Sequence, residues 1–485
     1  MKPLAIKKLA EIINAKTSEI SNLKFQISSV SIDSRKISQG CIFFAIKGAN
    51  HDGHDFVSQA FENGASCAVV QKQISCEKPL LLVDDTIEAF GSLARYVREN
   101  SSYKVIAITG SAGKTTTKNI INHVLKNSFK CFSSPKSFNN NIGVPLTILD
   151  APQDSEILIS ELGSNHPGEI EQLTKIIQPD IAVITTICPA HLEGFGSIDA
   201  IIKEKVSITA GLRADRKFFV NGSISCHCEP SEKMAKQSQL SSEKQRLLHR
   251  PDEIGTPRND LVAYCKKQKI KFETFPQAKD IKLSGDKSTF VIDNVTVNLP
   301  LAGRANVENA MAAWSVCKNL GVSAVQFAGA VASIKPVDMR LEILKLGQCL
   351  VICDCYNANP GSMANALETL SLMAKQEGKR AVFICGKMGE LGDQSEKLHA
   401  ELGEKIAQYK IPVLLTTKGD CAVAGRTAEK HADYDISVGI FENTAQLCDN
   451  LHKFIKPDDI ILVKASRSER FEAVISKLKG LFIGQ

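Results

Sequence analysis

The stretch Val105-Ile-Ala-Ile-Thr-Gly-Ser-Ala-Gly-Lys-Thr-Thr-Thr117 carries the most direct chemical signal in the sequence. An apolar, β-branched run ends in a Gly-rich turn and passes into one Lys and three Thr, which reads as a strand, a phosphate-binding loop and a helix start. Gly110 and Gly113 permit a tight turn whose backbone N–H groups face phosphate oxygens, and the helix N-terminus behind them adds its positive dipole end. Ser111, Ala112 and Thr116 belong to the same cradle. Lys114 is placed to reach the β/γ-phosphates of a nucleotide, and Thr115 to put a hydroxyl on Mg²⁺. The spacing is the short G-x-x-G-K-T, because Ile108 stands where the longer motif has its first glycine.

Further polar residues follow other apolar runs. Ile157-Leu-Ile-Ser-Glu-Leu-Gly163 is a strand whose end carries Glu161, the position from which parallel sheets present ligands to a nucleotide, so Glu161 is the first acidic candidate for Mg²⁺. The run Ile181–Thr186 leads to Pro189-Ala-His-Leu-Glu-Gly-Phe195, which makes His191 a candidate metal ligand. In Ser137-Phe-Asn-Asn-Asn-Ile-Gly-Val-Pro145 the asparagines, Asn139 and Asn140 among them, supply amide donors and acceptors in a loop that a Gly and a Pro close. Asn306 and Asn309 sit three apart on an Ala-rich helix, so both amides share a face, suited to an adenine edge or simply to a polar helix surface. Near the N-terminus Ile42, Phe44 and Ile46 alternate as in a half-buried strand, and Gly48 to Gly53 is either a ligand loop or a solvated turn.

The elements that must hold these residues recur as αβ alternation. Leu350–Cys353, Ala381–Cys385, Val413–Thr416 and Ile460–Val463 predict strands of a Rossmann-like sheet, and loops Asp354–Gly361, Gly386–Gly392 and Lys464–Ser468 at their ends face one cleft. A chain of 485 residues, 43% apolar and 23% charged, predicts roughly three soluble domains. No run is apolar enough to span a membrane and the N-terminus lacks a signal-like apolar stretch, so the cytoplasm is the expected location. Fifteen scattered cysteines, mostly in apolar runs, read as reduced, buried thiols. Cys226-His-Cys228 lacks a second ligand pair at zinc spacing. Of the net charge of +6, five units come from Ser231 to Lys271, with ten Lys/Arg against five Asp/Glu. Few aromatics interleave with them, which argues against a nucleic-acid groove. Gly222 to Pro257 is a polar excursion that breaks the αβ rhythm.

The order of motifs resembles the Mur ligases, ATP-dependent amide-bond-forming enzymes of peptidoglycan precursor synthesis. The residues that carry the resemblance are Asp33-Ser-Arg35 with Asp52-Gly-His54, Thr109 to Thr115, Phe138 to Pro145, Glu161-Leu-Gly163, Ala190-His-Leu-Glu193, Gly303-Arg-Ala-Asn306 with Asn309, Asp354 to Pro360, and Met388-Gly-Glu-Leu-Gly392. The last two look like the members that add D-alanyl-D-alanine to UDP-N-acetylmuramoyl-tripeptide. The resemblance implies an α/β architecture of three domains: an N-terminal UDP-sugar-binding domain (1–103), a central P-loop ATPase domain with a parallel sheet (104–334) and a C-terminal Rossmann-like domain (335–485). It implies ATP and two Mg²⁺, with Lys114 on the γ-phosphate, Thr115 and Glu161 on one metal, and His191 on a second. Lys205 matches a lysine that family members carbamylate, which converts a cation into a carboxylate-like ligand. Asn306 and Asn309 would hold adenine, and Arg340 and Asp354 would close over the nucleotide. Ser34, Arg35, Asp52, His54, Asn139, Asn140, Asn165, His166, Tyr356, Asn357 and Asn359 would serve the substrates. A monomer is implied.

The sequence departs from the family at Met339, where a glycine is usual, at Ala465, and at Ser207, where a glutamate is usual. Another Mur or folylpolyglutamate-type ligase, or a nucleotide-binding protein without turnover, remains open at this point.

Overall fold

The computed structural model describes residues 2–16, 25–48, 50–135, 137–212, 216–222 and 257–483. The polar excursion, with Cys226-His-Cys228, lies almost entirely outside the described residues.

Three largely parallel sheets follow one another along the chain. The first joins Ser29–Ser31, Cys41–Phe44, Cys67–Val70 and Leu80–Leu82 in that spatial order. Cys41–Phe44 is not half-buried as its alternation predicts: all four residues are buried. The reason is that parallel sheets are covered on both faces. Ile42 and Phe44 enter one apolar cluster, while Phe43 and Ala45 enter another.

The second sheet has six parallel strands in the order Glu273–Thr274, Lys217–Val220, Ile181–Ile184, Lys104–Thr109, Ile157–Glu161, Cys131–Ser133. The phosphate-loop strand Lys104–Thr109 lies between two strands that follow it in sequence. Its carboxyl end is therefore a topological switch point, where the flanking loops diverge and leave a crevice. A three-stranded antiparallel sheet, Lys279–Ser284, Lys287–Ile292 and Val295–Leu299, adds to this region. Its inner residues Phe290, Ile292, Val297 and Leu299 share a core with helix Arg304–Asn319.

The third sheet, Glu342–Leu346, Cys349–Cys353, Ile460–Lys464, Ala381–Cys385, Val413–Thr417, Ser437–Phe441, is parallel except for its first strand. All four strands that the sequence predicts here form, and two edge strands join them. One apolar cluster includes one face of each of the three sheets, through residues such as Phe44, Leu158 and Phe383.

A buried guanidinium joins the first unit to the second. Arg98, near the end of helix Thr86–Glu99, donates to the carbonyls of Ile177 and Gln178 and to Asp180 Oδ2, each at 2.9 Å. Asp180 Oδ2 also accepts the N–H of Val105 at 2.8 Å, so the carboxylate fixes the start of the phosphate-loop strand. Thirteen cysteines among the described residues are free thiols, eleven of them buried. No helix among the described residues is long and apolar enough to cross a membrane.

Candidate functional site

The turn after Thr109 is shaped by contacts that only glycine tolerates. Gly110 has φ 146°, and a Cβ there would lie 2.1 Å from Thr185 Oγ1. Gly113 has φ 83°, and its Cβ would meet Asn309 Oδ1 at 2.2 Å. The loop leans on the segment after the next strand: Ser111 N–H donates to Thr186 O at 2.7 Å, and Ser111 Oγ to Cys188 O at 3.0 Å. Helix Lys114–Leu125 begins directly behind it. Lys114 Nζ folds back onto Gly110 O at 2.6 Å, inside the loop it belongs to. Burial pulls its pKa below the usual lysine range, partly opposed by the Glu161 charge.

Glu161 closes the loop from the neighbouring strand. Thr115 Oγ1 donates to Glu161 Oε2 at 3.1 Å, and both side chains are buried. Lys118 Nζ stands 3.2 Å from Glu161 Oε1 and donates to Ser134 O at 2.7 Å. Glu161 Oε1 itself makes no hydrogen bond. Lys118 is a site residue that the sequence reading missed; its signal was a second lysine one helical turn after Lys114, on the same face.

Glu161 lines a cleft of about 530 Å³, together with Ser111 to Thr116, Asn139, Asn140, Asn165 and His191 from the central unit, and Lys118 stands behind it. From farther along the chain come Asn306, Asn309, Arg340, Asp354, Tyr356, Asn357 and Asn359. Asn306 and Asn309 do share a face, and they bond to each other, Asn309 Nδ2 donating to Asn306 Oδ1 at 3.3 Å. Asn140 does a second job: its Oδ1 accepts the N–H groups of Ile142 and Gly143, ordering the turn that leads into helix Gly143–Asp150. Gly143 and Pro145 thus open a helix rather than close a loop, since proline in a first turn gives up no needed N–H.

The C-terminal unit supplies the opposite wall. Asp354 Oδ2 accepts from Lys464 Nζ at 2.6 Å and Oδ1 from Leu341 N–H at 3.2 Å. Burial raises the Asp354 pKa, against the pull of Lys464. The Arg340 guanidinium stacks 4.2 Å from the centre of the Tyr356 ring. Met339 takes φ 57°, the left-handed region where glycine sits without strain, so the turn that aims Arg340 forms despite the side chain. Asn359 caps helix Pro360–Glu377 and donates from Nδ2 to Ser111 O at 3.4 Å, which sets that helix's positive end against the phosphate loop.

Lys205 stands behind the lining. Its Nζ donates to Ser164 Oγ at 2.7 Å, and Ser164 faces the cleft. Burial first, and the nearby Lys114 charge second, lower its pKa to about 7. His191 Nδ1 is paired with the Glu390 carboxylate. Glu390 was another residue the sequence reading left without a role.

Several expected residues are not part of this cleft. Ser34, Arg35, Asp52 and His54 stay in the N-terminal unit, and His166 is an exposed side chain beside Glu169. The buried His54 is engaged within its own loop. Its Nδ1 meets Asp52 Oδ1 at 2.5 Å and its Nε2 accepts Gln71 N–H at 3.0 Å, so the buried ring braces its own loop.

The donor set fits Mg²⁺ at Thr115 and Glu161: a hydroxyl and a carboxylate are hard oxygen ligands, and one carboxylate oxygen lacks a hydrogen bond. Among the described residues no three His, Cys, Asp or Glu side chains gather as a metal cage.

Comparison with known proteins matches residues 26–98 to the Mur ligase family catalytic domain, 108–317 to the Mur ligase middle domain, and 339–467 to the Mur ligase glutamate ligase domain. A relative from Bacillus subtilis (strain 168), named UDP-N-acetylmuramoyl-tripeptide--D-alanyl-D-alanine ligase, is 32% identical over 480 residues, 98% of either chain. A crystal structure of MurF from Acinetobacter baumannii superposes with a TM-score of 0.82 at 28% identity, covering 99% of both chains. MurF ligase from Thermotoga maritima in complex with ADP gives a TM-score of 0.75 at 25% identity, over 94% of this chain and 98% of that one.

Proposed function

The chain belongs to the Mur ligase family, and on that premise we propose that it joins D-alanyl-D-alanine to UDP-N-acetylmuramoyl-tripeptide in peptidoglycan precursor synthesis, converting ATP to ADP and phosphate. The observation that carries this reading is a full-length match to ligases of that name, combined with a single cleft into which the phosphate loop and the C-terminal loops both project.

The tripeptide carboxylate attacks the γ-phosphate of ATP, the bond to the β-phosphate oxygen breaks, and an acyl phosphate forms. The dipeptide amine then attacks the activated carbonyl, loses a proton, and phosphate leaves. Lys114 moves from the Gly110 carbonyl to the phosphate oxygens and follows the charge that builds there. Thr115 and Glu161 would hold one Mg²⁺ and His191 would help to hold a second, and these ions would supply Lewis-acid neutralisation of the phosphates. Asn306 and Asn309 face the base, while Arg340 and Asp354 meet the nucleotide from the C-terminal unit. Asn139, Asn140, Asn165 and His166 serve the tripeptide, and Tyr356, Asn357 and Asn359 the dipeptide. Ser34, Arg35, Asp52 and His54 serve the uridine nucleotide end, with the boundaries 1–103, 104–334 and 335–485 separating the three tasks. The reaction takes place in the cytoplasm, on a monomer.

A carbamate on Lys205 is supported by its setting. An amine with a pKa of about 7 is substantially neutral at neutral pH, so its lone pair can bond to the carbon of CO₂ with loss of a proton. Incubation of the protein with UDP-N-acetylmuramoyl-tripeptide, D-alanyl-D-alanine, ATP and Mg²⁺ tests the whole reading by mass spectrometry. A product heavier by one dipeptide less one water is the expected result; an unchanged tripeptide contradicts it.

A further inference from the structure

Glu390 lies in the loop Gly386–Gly392 of the C-terminal unit, yet its contacts are with the central one. Its carboxylate meets His191 Nδ1, and its carbonyl accepts the N–H of Glu193 at 3.1 Å. Gly392 sits so near that a Cβ there would be 3.3 Å from Glu193 Cα. Glu390 has φ 59°, a left-handed conformation unfavourable for a non-glycine residue. Two anchors within the C-terminal unit hold it in place. Met388 N–H donates to Nε2 of the fully buried His399 at 3.1 Å, and Gly389 N–H to Ser466 Oγ at 2.6 Å. The loop is therefore built on one unit and offered to the other.

On the cleft side, His191 is a lining residue whose Nε2 makes no hydrogen bond among the described residues. A neutral imidazole whose Nδ1–H donates to a carboxylate leaves Nε2 as a bare lone pair, and the same bond fixes the plane of the ring. We propose that Glu390 is a positioning residue for His191: it selects the tautomer and orientation that present Nε2 to a cation in the cleft, and it does so only while the C-terminal unit is docked on the central one. The inference rests on the metal role proposed above for His191. It makes completion of the second cation site a consequence of docking.

The test uses full-length protein with ADP and Mn²⁺, whose free ion is counted by electron paramagnetic resonance, with Glu390→Gln, Glu390→Ala, His191→Ala and the double variant. The Glu390 side chain is half exposed, so Glu390→Gln and Glu390→Ala leave the thermal midpoint unchanged. Glu390→Ala is expected to weaken the second Mn²⁺ about 10- to 100-fold while leaving the first unchanged. Glu390→Gln, which keeps an acceptor for Nδ1–H, should fall between it and the wild type. The double variant should lose no more than His191→Ala alone, since one residue acts through the other. Equal Mn²⁺ affinity in wild type and Glu390→Ala, or losses that multiply in the double variant, overturns the proposal. Absence of ligase turnover in the wild type would instead count against the proposed reaction, which the Mn²⁺ titration does not measure.

Discussion

Lys114 and Lys205 show how one low-dielectric pocket sets two amines to different work. Each lysine is deeply buried; at Lys114 Glu161 opposes the burial and Arg340 adds to it, while at Lys205 the Lys114 charge adds to the burial and Glu204 and Glu169 oppose it. Lys114 is then the natural partner of an incoming polyphosphate, and Lys205 the amine free to take up CO₂. Replacing Lys205 with Ala should cut turnover by at least about 10²-fold, as loss of a charge-stabilising group does. Added acetate or formate should restore part of the rate by placing a carboxylate where the carbamate stood. A Lys205→Ala enzyme with full activity would remove the carbamate from the account.

At the scale of elements, what matters is how loops at the cleft are held by residues remote from it. His399 keeps loop Gly386–Gly392 in place as a neutral ring: Nδ1–H donates to Ser395 O at 2.7 Å and Nε2 accepts from Met388 N–H. Burial lowers its pKa below 6.5, with Asp420 and Lys387 as the opposed charges nearby. Because the folded state prefers the neutral form, its contribution is complete above about pH 6.5 and is lost as pH falls through the lower folded value. The thermal midpoint of the wild type should therefore fall toward that of His399→Phe between pH 7.5 and pH 5, and a constant difference would contradict the assignment. Arg98 performs the same service between the N-terminal and central units. Arg98→Ala leaves Asp180 buried with its main partner gone, and chemical denaturation should register a loss of about 3–5 kcal/mol.

Across the whole molecule, the parts legible in the sequence are those where period and position coincide. Apolar runs ending in Gly110, Glu161 and Asp354 could be recognised because parallel strands are buried on both faces and place polar residues at their carboxyl ends. The hairpins at 279–299 and the edge strands Glu342–Leu346 and Ser437–Phe441 escaped because their exposed lysines, serines and acids dilute the apolar signal. Lys118, Glu390 and His399 escaped for a different reason: each acts on a partner far away in sequence, and only the folded chain brings them together. A histidine beside an aspartate, as His54 is beside Asp52, reads the same in sequence whether it serves a ligand or its own loop.

The central claim is that this cleft couples ATP cleavage to amide formation with one dipeptide. Phosphate release in the presence of ATP, Mg²⁺ and UDP-N-acetylmuramoyl-tripeptide, measured with D-alanyl-D-alanine and separately with L-glutamate and a folate, tests it most directly, with Lys114→Ala as the blank. The account predicts release only with the tripeptide and D-alanyl-D-alanine together, and none from Lys114→Ala. Release with L-glutamate and a folate, or no release from the wild type with any acceptor, would contradict it.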